Sequence, residues 1–539
     1  MTAKSLLALA LTASLAGAVA PADAADIQLI NLDIGTGLGL DDPSPRRPVG
    51  GNPGRTLGEQ RQIAYQFAAD LWGAVLQSNV PVNVTATFQP LACTPTGGTL
   101  GSAGATQVFI LSGDGLPDTL FHVALAEALI GINLNGTTPE IATRFNGDIG
   151  VNPNCLTGQD WYYGLDGNTP AGSINFLNVV MHEIGHGLGF SGFANVTSGA
   201  LLSGFPDIYN LNAFNNTLGR AIGDTTLSNS QRAAAFRDDG NTVWTGASVN
   251  QVAANFLSNQ VALQVTAPAG IAGGKTVQLA SFGPLANAGN MIGTVVAADD
   301  GVNTQGCNPL VNGAEVAGNI ALIDRGTCAF TIKVANAQAA GAIGVIIANN
   351  VSAGLPGMGG ADPTITIPSV GVSQADGTAI RSNLPGVTVN GVQPDAVLLA
   401  GADAGGRVRL YAPITVAPGS TFSHFDTAVT PNAVMEPFIT DTLNAQIDLD
   451  MTPFQMQDIG WQLTQGSARF RGCRIGIEAV DDTGIILGAH AVSQIELCYD
   501  SNRSLADAKA CVIRQANALR NAGLINLTQA GSMMRCGTR

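Results

Sequence analysis

Residues 176–190 read F-L-N-V-V-M-H-E-I-G-H-G-L-G-F, and no other run constrains the chain as much. Phe176, Leu177, Val179, Val180, Met181, Ile184 and Leu188 leave little polar surface, so the spacing predicts a buried helix over 173–190. Ser173 or Asn175 can cap its start, and the glycines near Gly189 can end it. His182, Glu183 and His186 then lie inside that helix, where ionisable groups without partners are costly. Positions i and i+4 share one face, so His182 and His186 can grip one metal ion together. A helix with two surface histidines is the plain alternative, and the apolar setting argues against it.

Zinc suits a pair of imidazoles and lowers the pKa of its bound water to about 7. Glu183 can reach such a water without being a ligand, take its proton and pass it to a leaving amine. The residues therefore point to one catalytic zinc ion with Glu183 as general base; a need for calcium is left open. A catalytic zinc takes a third protein ligand. No Glu occurs between Glu183 and Glu315, which argues against a nearby downstream carboxylate. The spacing H-E-x-x-H-x-x-G-x-x-H fits at Gly189 but meets Gly192 where its last His belongs. The ligand must come from further away: His122, His424 or His490, with Asp207 a weaker oxygen donor. His122 falls in a Leu/Ala-rich stretch, 118–129, that reads as a helix and suggests a packed or surface role. His490 lies in a Cys-rich tail, and Asp207, after Phe205-Pro206, reads as part of a turn.

His424 stands in Ser423-His424-Phe425-Asp426, and Met435-Glu436-Pro437 follows eleven residues later. An H-E-x-x-H helix with Gly-Phe after it, a long insertion, a Ser-His-aromatic segment and then a Met resembles the metzincin clan, most closely the leishmanolysin-like peptidases. That resemblance implies His424 as third zinc ligand, Met435 as the Met-turn methionine beneath the metal, and hydrolysis of peptide bonds. It also implies an α+β, zincin-like catalytic domain split over 25–264 and 416–465. Residues 449–461, ending Asp458-Ile459-Gly460-Trp461, look like its closing helix. No Tyr follows Met435 closely, so an additional oxyanion stabiliser goes unnamed.

The eight Cys fall into Cys93 and Cys155, Cys307 and Cys328, and Cys473, Cys498, Cys511 and Cys536. Even numbers without a C-x-x-C pair favour local disulfides over structural zinc, with Cys93 joined to Cys155 and the tail pairing open. Between the two catalytic segments, residues 265–415 alternate short Val/Ile strands with Gly-rich turns. There Ile320–Ile323 reads as a buried strand, 331–340 as a helix and Gly344–Ala348 as a second strand. With Arg325-Gly326, Ile367-Pro368-Ser369-Val370 and Asp376-Gly377, this stretch resembles a protease-associated (PA) domain, a β-rich, non-catalytic insert. The resemblance makes Cys307–Cys328 an internal disulfide. Residues 466–539 read as a small disulfide-rich C-terminal region with strands and a helix near 504–522.

Lys4, the apolar run 5–20 and Ala22-Asp23-Ala24 read as an export signal over 1–24. The expected location is secreted, or periplasmic in a Gram-negative host. A formal net charge of -15 argues against nucleic acid or an anionic membrane as partner. A protein or peptide substrate is the expected partner, and oligomeric state is left open. The rival function is a secreted binding protein with a decayed peptidase core, acting through the insert and tail; the intact His182, Glu183, His186 and His424 favour the enzyme.

Overall fold

The computed structural model describes residues 24–113, 116–351, 354–360, 362–440 and 442–539; apart from Ala24, the expected export signal lies outside them. The chain forms two compact units: Leu257–Gly406, and the sequence on both sides of it.

In the first unit, β1 (Ile27–Asn31) leads to α1 (Leu57–Val75), whose first turn is fixed by a reciprocal Thr56–Glu59 capping box. Phe67, Leu71, Trp72 and Val75 are buried along it. In β2 (Val82–Gln89), Val82, Val84 and Ala86 are buried and alternate with polar residues, as the period of a half-buried strand requires. Next come β3 (Gly101–Ala105), the hairpin β4 (Val108–Gly113) and β5 (Leu116–His122), α2 (Val123–Ile130) and β6 (Ile141–Asn146). The sheet order is β1-β2-β6-β3, with only β3 antiparallel and at the sheet end. The helix expected over 118–129 begins only at Val123. Phe121 pairs with Phe109 and Leu120 with Ile110, so hairpin pairing takes the residues before it. Helix α3 (Phe176–Leu188) lies across β3 and β6 and against α1. Asn175 caps it through Asn178 N, and Gly189 ends it. Helix α4 (Ala247–Phe256) closes this segment.

The second unit is a closed barrel built from β7 (Asn259–Ala267), β8 (Gly273–Leu279), β9 (Ile292–Ala297), β10 (Ile320–Asp324), β11 (Gly344–Ala348), β12 (Ser369–Val372) and β13 (Thr388–Leu399). Strands β9 to β12 are parallel neighbours, with α5 (Phe330–Ala339) between β10 and β11 in sequence and α6 (Gln374–Ser382) between β12 and β13. Ile320 and Leu322 face one apolar core and Ala321 and Ile323 another, so β10 is buried on both faces and reads as a continuous apolar run. Both ends of this unit come earlier in the chain than the expected 265 and 415. The residues before 265 belong to β7. After Gly406 the backbone pairs instead with the first unit: Trp244 N donates to Val408 O (2.7 Å) and Leu410 N to Thr242 O (2.9 Å).

The chain then returns through α7 (Thr452–Ile459), shorter than the 449–461 stretch read from the sequence. Its Asp458 carboxylate accepts Ser248 N, Val249 N and Trp244 Nε1, tying α7 to the start of α4. The tail is a ribbon of β14 (Ser467–Phe470) and β15 (Cys473–Glu478) followed by α8 (Leu487–Asp500), α9 (Leu505–Asn521) and α10 (Leu527–Gly537). It has its own core around Ile475, Ile495, Val512 and Met533, yet α8 packs on α1, so it belongs to the first unit. Cys93 is bonded to Cys155 and Cys307 to Cys328; the tail pairs Cys473 with Cys536 and Cys498 with Cys511. No helix among the described residues is long and apolar enough to cross a membrane.

Candidate metal centre

Helix α3 places His182 and His186 on one face, and the chain returning after the second unit brings His424 against them. The three side chains converge: His182 Nε2 lies 3.0 Å from His186 Nε2 and 3.2 Å from His424 Nε2. Their other ring nitrogens fix the tautomers. Nδ1 of His182, His186 and His424 lies 2.7, 2.9 and 2.7 Å from the carbonyl oxygens of Val434, Phe190 and Ser420. A carbonyl only accepts, so each Nδ1 carries the proton and each Nε2 presents a bare lone pair. Three lone pairs at such separations repel one another unless an electrophile lies between them. Protonating them is no remedy, because burial pushes His182 down to about 4 and His186 to about 3, and holds His424 well below its usual value. Three neutral imidazoles with carbonyl-held Nδ1–H groups are the donor set of a zinc site with an open position, so the residues fit that ion.

Glu183 follows His182 on the same turn and is 5% exposed. Burial pushes its carboxyl up to about 8, and a cation held by the imidazoles would draw it down again. Gly101 in β3 lies against it: a Cβ there would come within 2.7 Å of Glu183 Oε1. Met435, 0% exposed, packs beneath α3, where a Cβ on Gly185 would lie 2.9 Å from its sulfur. The loop that carries Met435 is fixed by the Asp450 carboxylate, which accepts Val434 N (2.5 Å), Thr452 N and Thr452 Oγ1. Asp450 thus sets the segment whose Val434 carbonyl orients His182. Asn178 in α3 holds the same return segment, donating to Leu443 O and accepting from Ala445 N.

The remaining candidates lie elsewhere. His490, on α8, packs edge-on to Phe67 of α1, with Nδ1 3.1 Å from Gln446 O. Asp207 caps a short helix, accepting Asn210 N and Phe193 N. His122, the last residue of β5, pairs with Ser191. Among the described residues, His182, His186 and His424 form the one cluster of at least three metal-binding side chains.

A cleft of about 820 Å³ opens over these residues. Thr99–Ala103 of the β3 segment form one wall, and Pro418–Ser420 with Pro437–Thr440 contribute to the rest. Sequence reasoning missed Gly101, Asp450 and Ser191, none of which carries a local motif.

Comparison with known proteins recognises one part of the chain. Residues 291–380 match the PA domain family, so the barrel unit contains a PA domain. The chain is 31% identical over 146 residues to vacuolar-sorting receptor 1 of Pisum sativum, a match covering 25% of this chain and 23% of the receptor. It is 41% identical over 90 residues to leucine aminopeptidase 2 of Trichophyton rubrum, covering 16% of this chain and 18% of that enzyme. Among solved structures, a zinc aminopeptidase from Bacillus subtilis overlays with a TM-score of 0.19 at 23% identity, over 28% of this chain and 36% of that one. The chain spans about a quarter or less of the length of the two curated relatives.

Proposed function

We propose that this protein is a secreted zinc metalloendopeptidase of the metzincin type, resembling leishmanolysin-like peptidases, with a PA domain inserted between the segments of its catalytic unit. The observation that carries the reading is the convergence of three bare Nε2 atoms beside a buried glutamate at the floor of a cleft. The relative named as a leucine aminopeptidase supports peptide hydrolysis as the reaction class. The four disulfides support an oxidising compartment.

His182, His186 and His424 would hold the ion, with Met435 packed beneath it. Zinc bound there supplies a Lewis acid and an acidified water. Glu183 accepts the proton of the water that attacks the scissile carbonyl and returns it to the amine nitrogen. Substrate selection falls to β3. Leu100 and Thr106, at its two ends, hydrogen-bond to the β6 segment. By the alternation of an antiparallel pair, Gly101, Ala103 and Ala105 turn their backbone groups outward. An extended peptide can pair there as one more strand, laid across Glu183.

The test is a casein or peptide-library digest paired with metal analysis, with and without a chelator. Zinc-dependent internal cleavage is expected; a metal-free chain that cleaves nothing would contradict the proposal. The match to a plant sorting receptor favours a second reading, a binding protein acting through its PA domain. Peptide capture without turnover would select it.

A further inference from the structure

His122 and Ser191 form a polar pair that the scheme above leaves unused. Ser191 lines the cleft together with Glu183, His186 and His424. Its Oγ lies 2.8 Å from His122 Nε2. His122 is 0% exposed and its ring packs on Phe193, centroids 4.4 Å apart. Its Nδ1 is buried with no hydrogen-bond partner among the described residues and faces Gly189, where a Cβ would lie 3.8 Å away.

These contacts choose the tautomer. Burial keeps the ring neutral, its pKa lowered to about 3, so one nitrogen carries a proton and one is bare. A buried N–H without an acceptor is rarer in folded proteins than an unpaired acceptor. The proton therefore sits on Nε2, which donates to Ser191 Oγ. The serine's own hydrogen must then point away from the imidazole. Its nearby acceptor in the protein is the His186 carbonyl at 3.5 Å, at the limit of a hydrogen bond, and that carbonyl already accepts Gly189 N. The hydroxyl is left with a donor to offer to the cleft.

We propose that Ser191 is a substrate-positioning residue: its O–H donates to a backbone carbonyl of an extended peptide in the cleft, and His122 fixes its direction from behind. This inference rests on the peptidase reading, and the test separates the two. Steady-state kinetics on one peptide would compare wild type with Ser191→Ala, Ser191→Thr, His122→Phe and the Ala/Phe double variant. Loss of one uniformly made hydrogen bond raises KM by ~3–10-fold with kcat nearly unchanged. Ser191→Thr should restore KM. The double variant should lose no more than Ser191→Ala alone, since the two residues act as one donor. An unchanged KM in Ser191→Ala, or effects that multiply in the double variant, would overturn the inference. Ser191→Ala removes only an oxygen at the cleft wall, so it remains informative if His122→Phe fails to fold. Binding of a fluorescent casein-derived peptide to Glu183→Gln, with and without Ser191→Ala, is read in parallel. A ~3–10-fold weaker Kd there supports Ser191 even if the wild type proves unable to cleave. An unchanged Kd, or no peptide binding at all, counts against it.

Discussion

The three imidazoles are specified by what holds them as much as by where they point. Each gives its Nδ1–H to a backbone carbonyl, so each is left with a lone pair aimed at the other two. Glu183 makes a separate contribution, and Glu183→Gln should separate chemistry from binding: turnover falls by ~10²–10⁴-fold while metal content is kept. Full activity in that variant would remove Glu183 from the mechanism. Gly101 has no functional group, yet its missing side chain makes room for the Glu183 carboxylate. Gly101→Ala should lower kcat/KM by ~10–100-fold through a shift of that carboxylate, with a melting temperature close to wild type. Unaltered kinetics would show that the carboxylate moves without consequence. His182, Glu183 and His186 were legible in the sequence because their relation is local, one turn of one helix. His424 was legible only through its flanking Ser, Phe and downstream Met. Gly101, Ser191 and Asp450 were not, because each acts through a neighbour distant in sequence.

At the scale of elements, the centre depends on the loop carrying Met435 being pressed under α3. Asp450, itself in a left-handed backbone conformation (φ 49°), holds that loop by accepting the N–H group of Val434, and it also accepts that of Thr452. Asp450→Ala leaves the buried Val434 N–H unpaired, a cost of ~1–3 kcal/mol, whereas Thr452 N keeps the Leu449 carbonyl as acceptor. It should also weaken zinc binding by ~10–100-fold, because Val434 no longer fixes His182. Equilibrium unfolding and a competitive chelator titration would read the two effects; wild-type zinc affinity would show that the loop holds without Asp450. Apolar periodicity recovered α3 and the inner strands β10 and β11 of the barrel nearly in register, since each has an uninterrupted pattern. It failed at 118–122, where Thr119, Leu120 and Phe121 serve a strand once β4 is available to pair with them. The tail disulfides were equally hidden, because four cysteines allow three pairings and only packing selects one.

At the scale of the molecule, the unit inserted in sequence between the two segments of the first has its own barrel and its own two apolar cores. Such independence predicts two calorimetric transitions. Chelation should lower only the transition of the unit that carries the proposed zinc site, since a ligand stabilises the state that binds it. Equal shifts in both transitions would contradict that independence. The texture change that marks the insert was legible, but its edges were not: β7 begins before the Gly-rich region, and Val408 pairs back onto Trp244 before that region has faded.

The central claim is that a zinc site on α3 is completed from beyond the insert by His424. Metal analysis of purified wild type and His424→Ala tests it most directly. About one zinc per chain is expected in the wild type, with zinc and activity both lost in the variant. Equal zinc content in the two proteins would contradict the claim.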